Sequence, residues 1–351
     1  MSGTDDLPRI IVDTDAGIDD AGALFMLLEA HKKRLVNIVA ITTCHGNTTV
    51  DNVNRNVLRI LDKISMLDQI PVFSGTKSPI TRPYFINETE FHGQDGFGDS
   101  DLPHPDPQKH LQKMPASLKI VEEVQKRPGS INLLAIGPLT NVAVAKMLEP
   151  RLLYRLASLH IMGGNTTGEG NESACGEFNF LNDPEAAQNV LSWDGPSSAE
   201  SEAESKLCPI FITPWETCLC AINIPYEYRL ELGRLETPQA ALLNAGEART
   251  MDKKLFRTWI TCDQIAAAWM LDVLVGDALK STGETREALC LAKMETFVSV
   301  EVQGTHTRGQ MILDRCPFKR FVSYAVPASL LTAVNIATYK RYLTMAFGGE
   351  F

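Results

Sequence analysis

Short apolar runs alternate along the chain with longer segments whose apolar residues recur every three to four positions. Residues 9–12 form a compact apolar run that ends in acidic residues, and 21–33 then carry Leu24, Leu27, Leu28 and His31 at helical spacing. That pattern predicts strand, loop and helix. A β-branched run at 36–43 predicts the next strand, and Val50, Val53, Val57, Leu61 and Ile64 line one face of the helix after it. Residues 71–74 read as a third short strand. The stretch 75–115 is rich in Pro, Gly, Asp and His and has little periodicity. Connections of that length are commonly functional or mobile, which makes closure over a substrate one expectation for it. Alternation resumes with strands at 131–136, 158–162 and 210–214 and helices at 140–148 and 184–193. Helical segments are expected at 227–247 and 255–275, β-rich runs at 290–303, 308–314 and 320–326, and a last helix at about 328–346. Repeated βα units predict an α/β fold: one domain over 1–351, with an open, mostly parallel, Rossmann-like sheet and helices on both faces. Sites in such sheets lie beyond the carboxyl ends of the strands.

Composition narrows the functional classes. The 351 residues carry 33 Lys+Arg against 43 Asp+Glu, a formal charge of −10. Neither a nucleic acid nor an anionic membrane is an expected partner, because both need a basic face. No apolar run reaches the roughly 18 residues of a membrane span. The polar residues 1–8 and the brief apolar run after them make no signal-peptide core, so a cytoplasmic location is expected. The acidic low-complexity stretch 197–206 reads as a solvated surface insertion. Eight cysteines without a CxxC pair read as free, mostly buried thiols.

The informative segment is IIVDTDAGIDDA at 10–21, where Asp13, Asp15, Asp19 and Asp20 crowd one strand-to-helix loop. Two unit charges about 4 Å apart repel by roughly 4 kcal/mol at an effective dielectric near 20, so inward carboxylates in this density call for a cation. All-oxygen ligation suits Ca2+ or Mg2+ rather than Zn2+. A plainer reading makes Asp19 or Asp20 a helix cap. A phosphatase-type DxDx[TV] motif fits poorly, since Gly17 stands where Thr or Val belongs. No phosphate-gripping Gly-rich loop accompanies it.

DTDAGIDDA at 13–21 resembles the signature of the inosine-uridine preferring nucleoside hydrolases. The resemblance recurs in order at 42–48 (TTCHGNT), 90–98 (EFHGQDGFG), 135–143 (AIGPLTNVA), 160–164 (HIMGG), 171–184 (NESACGEFNFLNDP), 261–265 (TCDQI) and 307–314 (TRGQMILD). It implies the nucleoside hydrolase fold and hydrolysis of a ribonucleoside to ribose and free base. It also implies a Ca2+ ion held by Asp15, Asp20, Asp263 and the backbone carbonyl of Ile136, with Asp15 taking a proton from a water on that ion. Asp13 would support the loop from behind. Asp19, Asn179 and Asp263 would hold the ribose hydroxyls, Asn171 and Glu177 would reach the 5′-hydroxyl, and Met162 and Asn47 would line the pocket. The resemblance further implies a homodimer or homotetramer.

The leaving-group side departs from the family pattern. The family's His before the last Asp ligand is Cys262 here, and a neutral thiol is a weak donor. His92, in the HG-x-x-G loop, is the expected binder or acid for the base. Trp259, spaced one helical turn before Asp263, is a second candidate for the base wall. Two other functions fit the same residues less well: a nucleoside or ribose binder without turnover, and a metal-dependent phosphohydrolase.

Overall fold

The computed structural model of the chain describes residues 7–81, 91–193, 206–251, 258–279, 287–315 and 325–351. β1 (Arg9–Thr14) leads into α1 (Ile18–Lys32), and β2 (Asn37–Thr43) into α2 (Val50–Lys63). β3 (Val72–Ser74) leads into the long connection, which carries the short α3 (Pro107–His110) and β4 (Leu111–Gln112). Then come α4 (Ala116–Lys126), β5 (Ile131–Ala135), α5 (Thr140–Leu148), α6 (Leu152–Arg155), β6 (Leu156–Met162), α7 (Phe178–Asn182), α8 (Pro184–Val190) and β7 (Ile210–Thr213). A π-helical turn, Thr217–Ala221, precedes β8 (Ile224–Pro225), α9 (Tyr226–Leu232), α10 (Pro238–Met251), β9 (Thr258–Trp259) and α11 (Asp263–Val275). β10 (Cys290–Val300), β11 (Met311–Leu313), β12 (Val326–Val334) and α12 (Ile336–Ala346) follow.

Ten strands join one sheet in the order β11-β10-β12-β7-β6-β5-β1-β2-β3-β4. All neighbours are parallel except β10, which runs against both β11 and β12. The expected mostly parallel sheet is therefore present. Its alternate residues feed two cores. Ile10 and Val12 pack with α1, α11 and α12 on one face, and Ile11 packs with α4, α5 and α8 on the other. Burial on both faces is why these strands read as unbroken apolar runs. β1 lies between β2 and β5, so the chain winds outward through β4 and restarts on the opposite side of β1. That reversal opens a crevice at the carboxyl ends of β1 and β5, where ligands of such sheets bind.

Several boundaries differ from expectation. The helix expected at 328–346 begins at Ile336, and its first third is the strand β12. β12 sits between β10 and β7 with both faces largely buried, and a strand of that kind shows no two-residue alternation to set it apart from a buried helix. Asn335 marks the true start, its Oδ1 accepting from the backbone N–H groups of Ala337 and Thr338. The segment 227–247 divides into α9 and α10, and within 255–275 the helix starts only at Asp263. Trp259 is therefore on a strand, not on the helix of Asp263. α4, which buries Ala116, Ile120 and Val124, is a helix the sequence reading passed over. Residues 82–90 of the long connection, 197–205 of the acidic stretch, 255–257 and 320–324 lie outside the described residues.

Candidate functional site

The loop between β1 and α1 is built to hold carboxylates apart from solvent. Ala16 takes a left-handed φ of 33°, a costly conformation for a residue with a Cβ. It is held there by Asn56, whose amide donates to the Ala16 carbonyl at 3.1 Å, and by Thr14 Oγ1, which accepts from the Ala16 N–H at 3.0 Å. Asp20 reaches back over the first turn of α1, and its Oδ2 accepts from the N–H of Gly17 at 2.8 Å. Its Oδ1 accepts from Thr14 Oγ1 at 2.5 Å. The capping role and the cluster role thus belong to the same side chain.

Asp263 opens α11 and comes within hydrogen-bond contact of Asp20. Oxygens of Asp19, Asp20 and Asp263 all lie within 4.8 Å of one another. Asp15 stands beside them, buried, with Oδ2 accepting from the N–H of Asn47 at 2.8 Å and Oδ1 without a protein partner. Asn47 also donates its side-chain amide to Asp20 Oδ2 at 3.2 Å, so one residue ties two of the acids. The helix after Asn47 is capped by Thr49, which leaves Asn47 to the acids. The residue before it must be glycine, because a Cβ on Gly46 would lie 1.9 Å from Asp15 Oδ2.

Burial is the leading cause of an upward pKa shift for Asp13, Asp15, Asp20 and Asp263. Asp13 and Asp20 are pushed up to about 7. Repulsion among Asp15, Asp19 and Asp20 adds to the shift of Asp15, and repulsion from all three adds to that of Asp263. The N-termini of α1 and α11 face the cluster and offset part of this repulsion. An orphaned carboxylate oxygen, crowded acids and an all-oxygen donor set fit a hard divalent cation.

A family model described as inosine-uridine preferring nucleoside hydrolase matches residues 10–340. The chain belongs to that family. It is 30% identical over 308 residues to the non-specific ribonucleoside hydrolase RihC of Salmonella paratyphi A, a match that takes in 87% of this chain and 88% of that protein. It is 35% identical over 193 residues to the probable uridine nucleosidase 2 of Arabidopsis thaliana, covering 53% of this chain and 56% of the plant protein. That second match spans only about half the length of the relative. The structure of an inosine-guanosine nucleoside hydrolase superposes over 98% of this chain and 99% of that one, with a TM-score of 0.81 at 24% identity. At that identity the likeness is one of fold.

Within this nucleoside hydrolase architecture the expected site residues divide into three groups. Asp15, Asp19, Asp20, Asp263 and Asn47 converge. Asp19 stands with Asp20 and Asp263 in the tight carboxylate group, and Asp15 is close enough to both Asp20 and Asp263 to raise or share their shifts. Asn179 joins from α7, its amide donating to the Met162 carbonyl at 3.2 Å and lying 3.5 Å from the carbonyl of Ile136. Its Oδ1 is buried and unpartnered. His92 joins from the long connection: its Nδ1 accepts from the N–H of Ile18 at 3.1 Å, and its Nε2 lies 3.6 Å from Asp19 Oδ1. The proton of neutral His92 is therefore on Nε2, facing the acids.

A second group is held mainly by its own loop. Glu177 caps α7, accepting from the N–H groups of Asn179, Phe180 and Gly164, while burial pushes its carboxyl up to about 7. Exposed Asn171 accepts from the N–H of Phe178 at 2.8 Å. The third group lies on the leaving-group side. Cys262 is hydrogen-bonded to Cys218 of the π-helical turn, and that bond, burial and the nearby acids raise its pKa well above the ordinary thiol range. Trp259 is 6% exposed and packs edge-on to Phe347 with Arg229 over its ring.

Sequence reasoning missed the supports of Asp13. Its Oδ1 accepts from Thr42 Oγ1 at 2.6 Å and from Asn141 at 2.8 Å. Both donors lie in family motifs, at 42–48 and 135–143, and that was the available signal.

Proposed function

We propose that the chain hydrolyses the N-glycosidic bond of a ribonucleoside, releasing ribose and the free base. The observation that carries this reading is the convergence of Asp15, Asp19 and Asp20 with the sequence-distant Asp263 at the crevice beside β1. Family membership supports it.

We read the cation as Ca2+, held by Asp15, Asp20, Asp263 and the carbonyl of Ile136, with Asp19 close enough to share in the site. A bound divalent cation supplies Lewis acidity to water and to sugar hydroxyls. The chain's own residues account for the remaining steps. Asp15 accepts the proton of the attacking water as the general base. Attack at the anomeric carbon breaks the bond to the base as positive charge develops on the sugar. Asp19, Asp263 and the free Oδ1 of Asn179 accept from the ribose hydroxyls and favour the charged, flattened sugar over the ground state. His92, neutral because burial lowers its pKa, hydrogen-bonds the departing base through Nε2–H, and the base leaves as its anion and takes its proton from solvent. Cys262 contributes shape rather than a proton. The homo-oligomeric state implied by the sequence resemblance belongs to the same reading.

The direct test is base release from inosine, uridine, adenosine, guanosine and cytidine, with and without a chelator. Release that is lost on chelation and restored by Ca2+ is the expected result. No release from any of the five overturns the reading, and tight nucleoside binding without release would make the chain a binder.

A further inference from the structure

A turn of the long connection brings His92 to the acids, and a side chain on α2 ties that turn to the acid loop. The turn is closed on itself, the His92 carbonyl accepting from the N–H of Gly98 at 2.7 Å. Within it Asp95 Oδ1 accepts from the N–H groups of Phe97 and Asp99, and Asp99 Oδ1 accepts from those of Gln94 and Asp95. A turn braced in this way moves as one piece, so whatever holds Asp95 also places His92.

Polar residues of α2 grip it from one side. Asn52, Asn56 and Arg59 stand at i, i+4 and i+7 and share a face of the helix. Asn52 donates to the Gln94 carbonyl, and Arg59 lies over the Phe97 ring, 5.3 Å from its centroid, and donates to the carbonyls of Leu102 and Pro103. Asn56, 1% exposed, reaches further. Its Nδ2 donates to the Ala16 carbonyl at 3.1 Å and to the Asp95 carbonyl at 3.0 Å. A side-chain amide has two N–H donors, and these carbonyls use both. Its Oδ1 accepts from Arg59 Nη1 at 2.7 Å. That bond fixes the amide, because a flipped group would set Oδ1 against two carbonyl oxygens.

The two carbonyls belong to the two sides of the reaction. Ala16 follows Asp15 directly and keeps its left-handed φ of 33°, and Asp95 lies three residues after His92. We propose that Asn56 is a positioning residue, which sets the Nε2–H of His92 at a fixed separation from the acid loop. The proposal rests on the hydrolase reading above. Asn56 is buried behind both loops and acts through them: one amide spaces the group that assists the departing base from the group that activates water.

The test is the dependence of kcat/KM on the leaving group. The nucleoside that the wild-type protein releases fastest has a poor leaving group, which needs the hydrogen bond from His92. 4-Nitrophenyl β-D-ribofuranoside loses a stabilised phenolate, which does not. The ratio of the two substrates cancels loss of folded protein and any shift of Asp15 that slows both alike. Asn56→Asp keeps the volume and the acceptor for Arg59 and removes both donors. The ratio of nucleoside to nitrophenyl riboside is expected to fall at least about tenfold. In His92→Ala protein the same substitution is expected to change it by less than about twofold, since the positioned group is gone. Gly96→Ala is the second variant: its Cβ would lie 2.6 Å from Thr48 Cγ2 and 3.2 Å from Asn56 Nδ2, so it pushes the turn off α2 with Asn56 intact and decides alone should Asn56→Asp fail to fold. It is expected to lower the same ratio. An unchanged ratio overturns the proposal, and so does an equal fall in the His92→Ala protein. A ratio unaltered by His92→Ala itself overturns both the role of His92 and that of Asn56. Absence of release from every nucleoside and from the nitrophenyl riboside overturns the hydrolase reading instead.

Discussion

A Cβ on residue 46 would lie 1.9 Å from Oδ2 of Asp15, so Gly46 and Asp15 are fitted to each other at closer than side-chain distance. Gly46→Ala is expected to displace the Asp15 carboxylate while leaving the sheet intact. Misplacing a reacting group by about 1 Å costs on the order of 100-fold in rate. A steady-state assay should show kcat down by about that factor with circular dichroism unchanged; a near-normal kcat would remove Asp15 from the chemistry.

Asp15→Asn keeps the acceptor for the Asn47 N–H and removes the base. Turnover is expected to fall below detection while the protein still binds nucleoside, as measured by calorimetry. A rate within tenfold of wild type would show that another group takes the proton.

Chelated protein should lose stability as pH rises. Asp13, Asp20 and Glu177 have folded-state pKa values raised from the ordinary carboxylate range to about 7. Between about pH 4 and 7 the folded state therefore binds more protons than the unfolded chain, and unfolding free energy falls with pH. The melting temperature of chelated protein is expected to drop by several degrees from pH 5 to pH 8. Added Ca2+ should raise it, with a larger effect at pH 8 than at pH 5 because the ligands must be ionised. A metal-free melting temperature that climbs over this interval would contradict the assigned burial of the acids.

Cys262→Ala tests the leaving-group side. The thiol is engaged with Cys218 and resists ionisation, so its removal is expected to change kcat by less than about tenfold, below the 10²–10⁴ range of a general acid. A loss of 10³ or more would make Cys262 the proton donor. His92→Ala, in contrast, removes both the acceptor for the Ile18 N–H and the Nε2 donor, and a larger loss in kcat/KM is expected in the same assay.

Much of this site was legible from residue types at fixed spacing. Four aspartates around one strand end announce their own repulsion, and the motif at 261–265 supplied Asp263 as their distant partner. The divided role of Asp20, as cap and as cluster member, was not legible, because it depends on the fold of the loop around Ala16. Asn56 lies in none of the motifs; its two-sided grip exists only once the acid loop and the turn of His92 have folded against α2. In the fold, the strands read correctly where turn residues bounded them. β12 did not, since burial on both faces erased the periodicity that separates strand from helix.

The acids reach the crevice from opposite stretches of the chain: Asp15, Asp19 and Asp20 follow the first strand, and Asp263 opens a helix that comes after β9. During synthesis the first three leave the ribosome long before the fourth. Until α11 docks against α1, the nascent loop carries its charges without their full set of neighbours. The full set of acids proposed to hold the cation is thus complete only after the first seven strands of the sheet have been made, with β10, β11 and β12 still to follow.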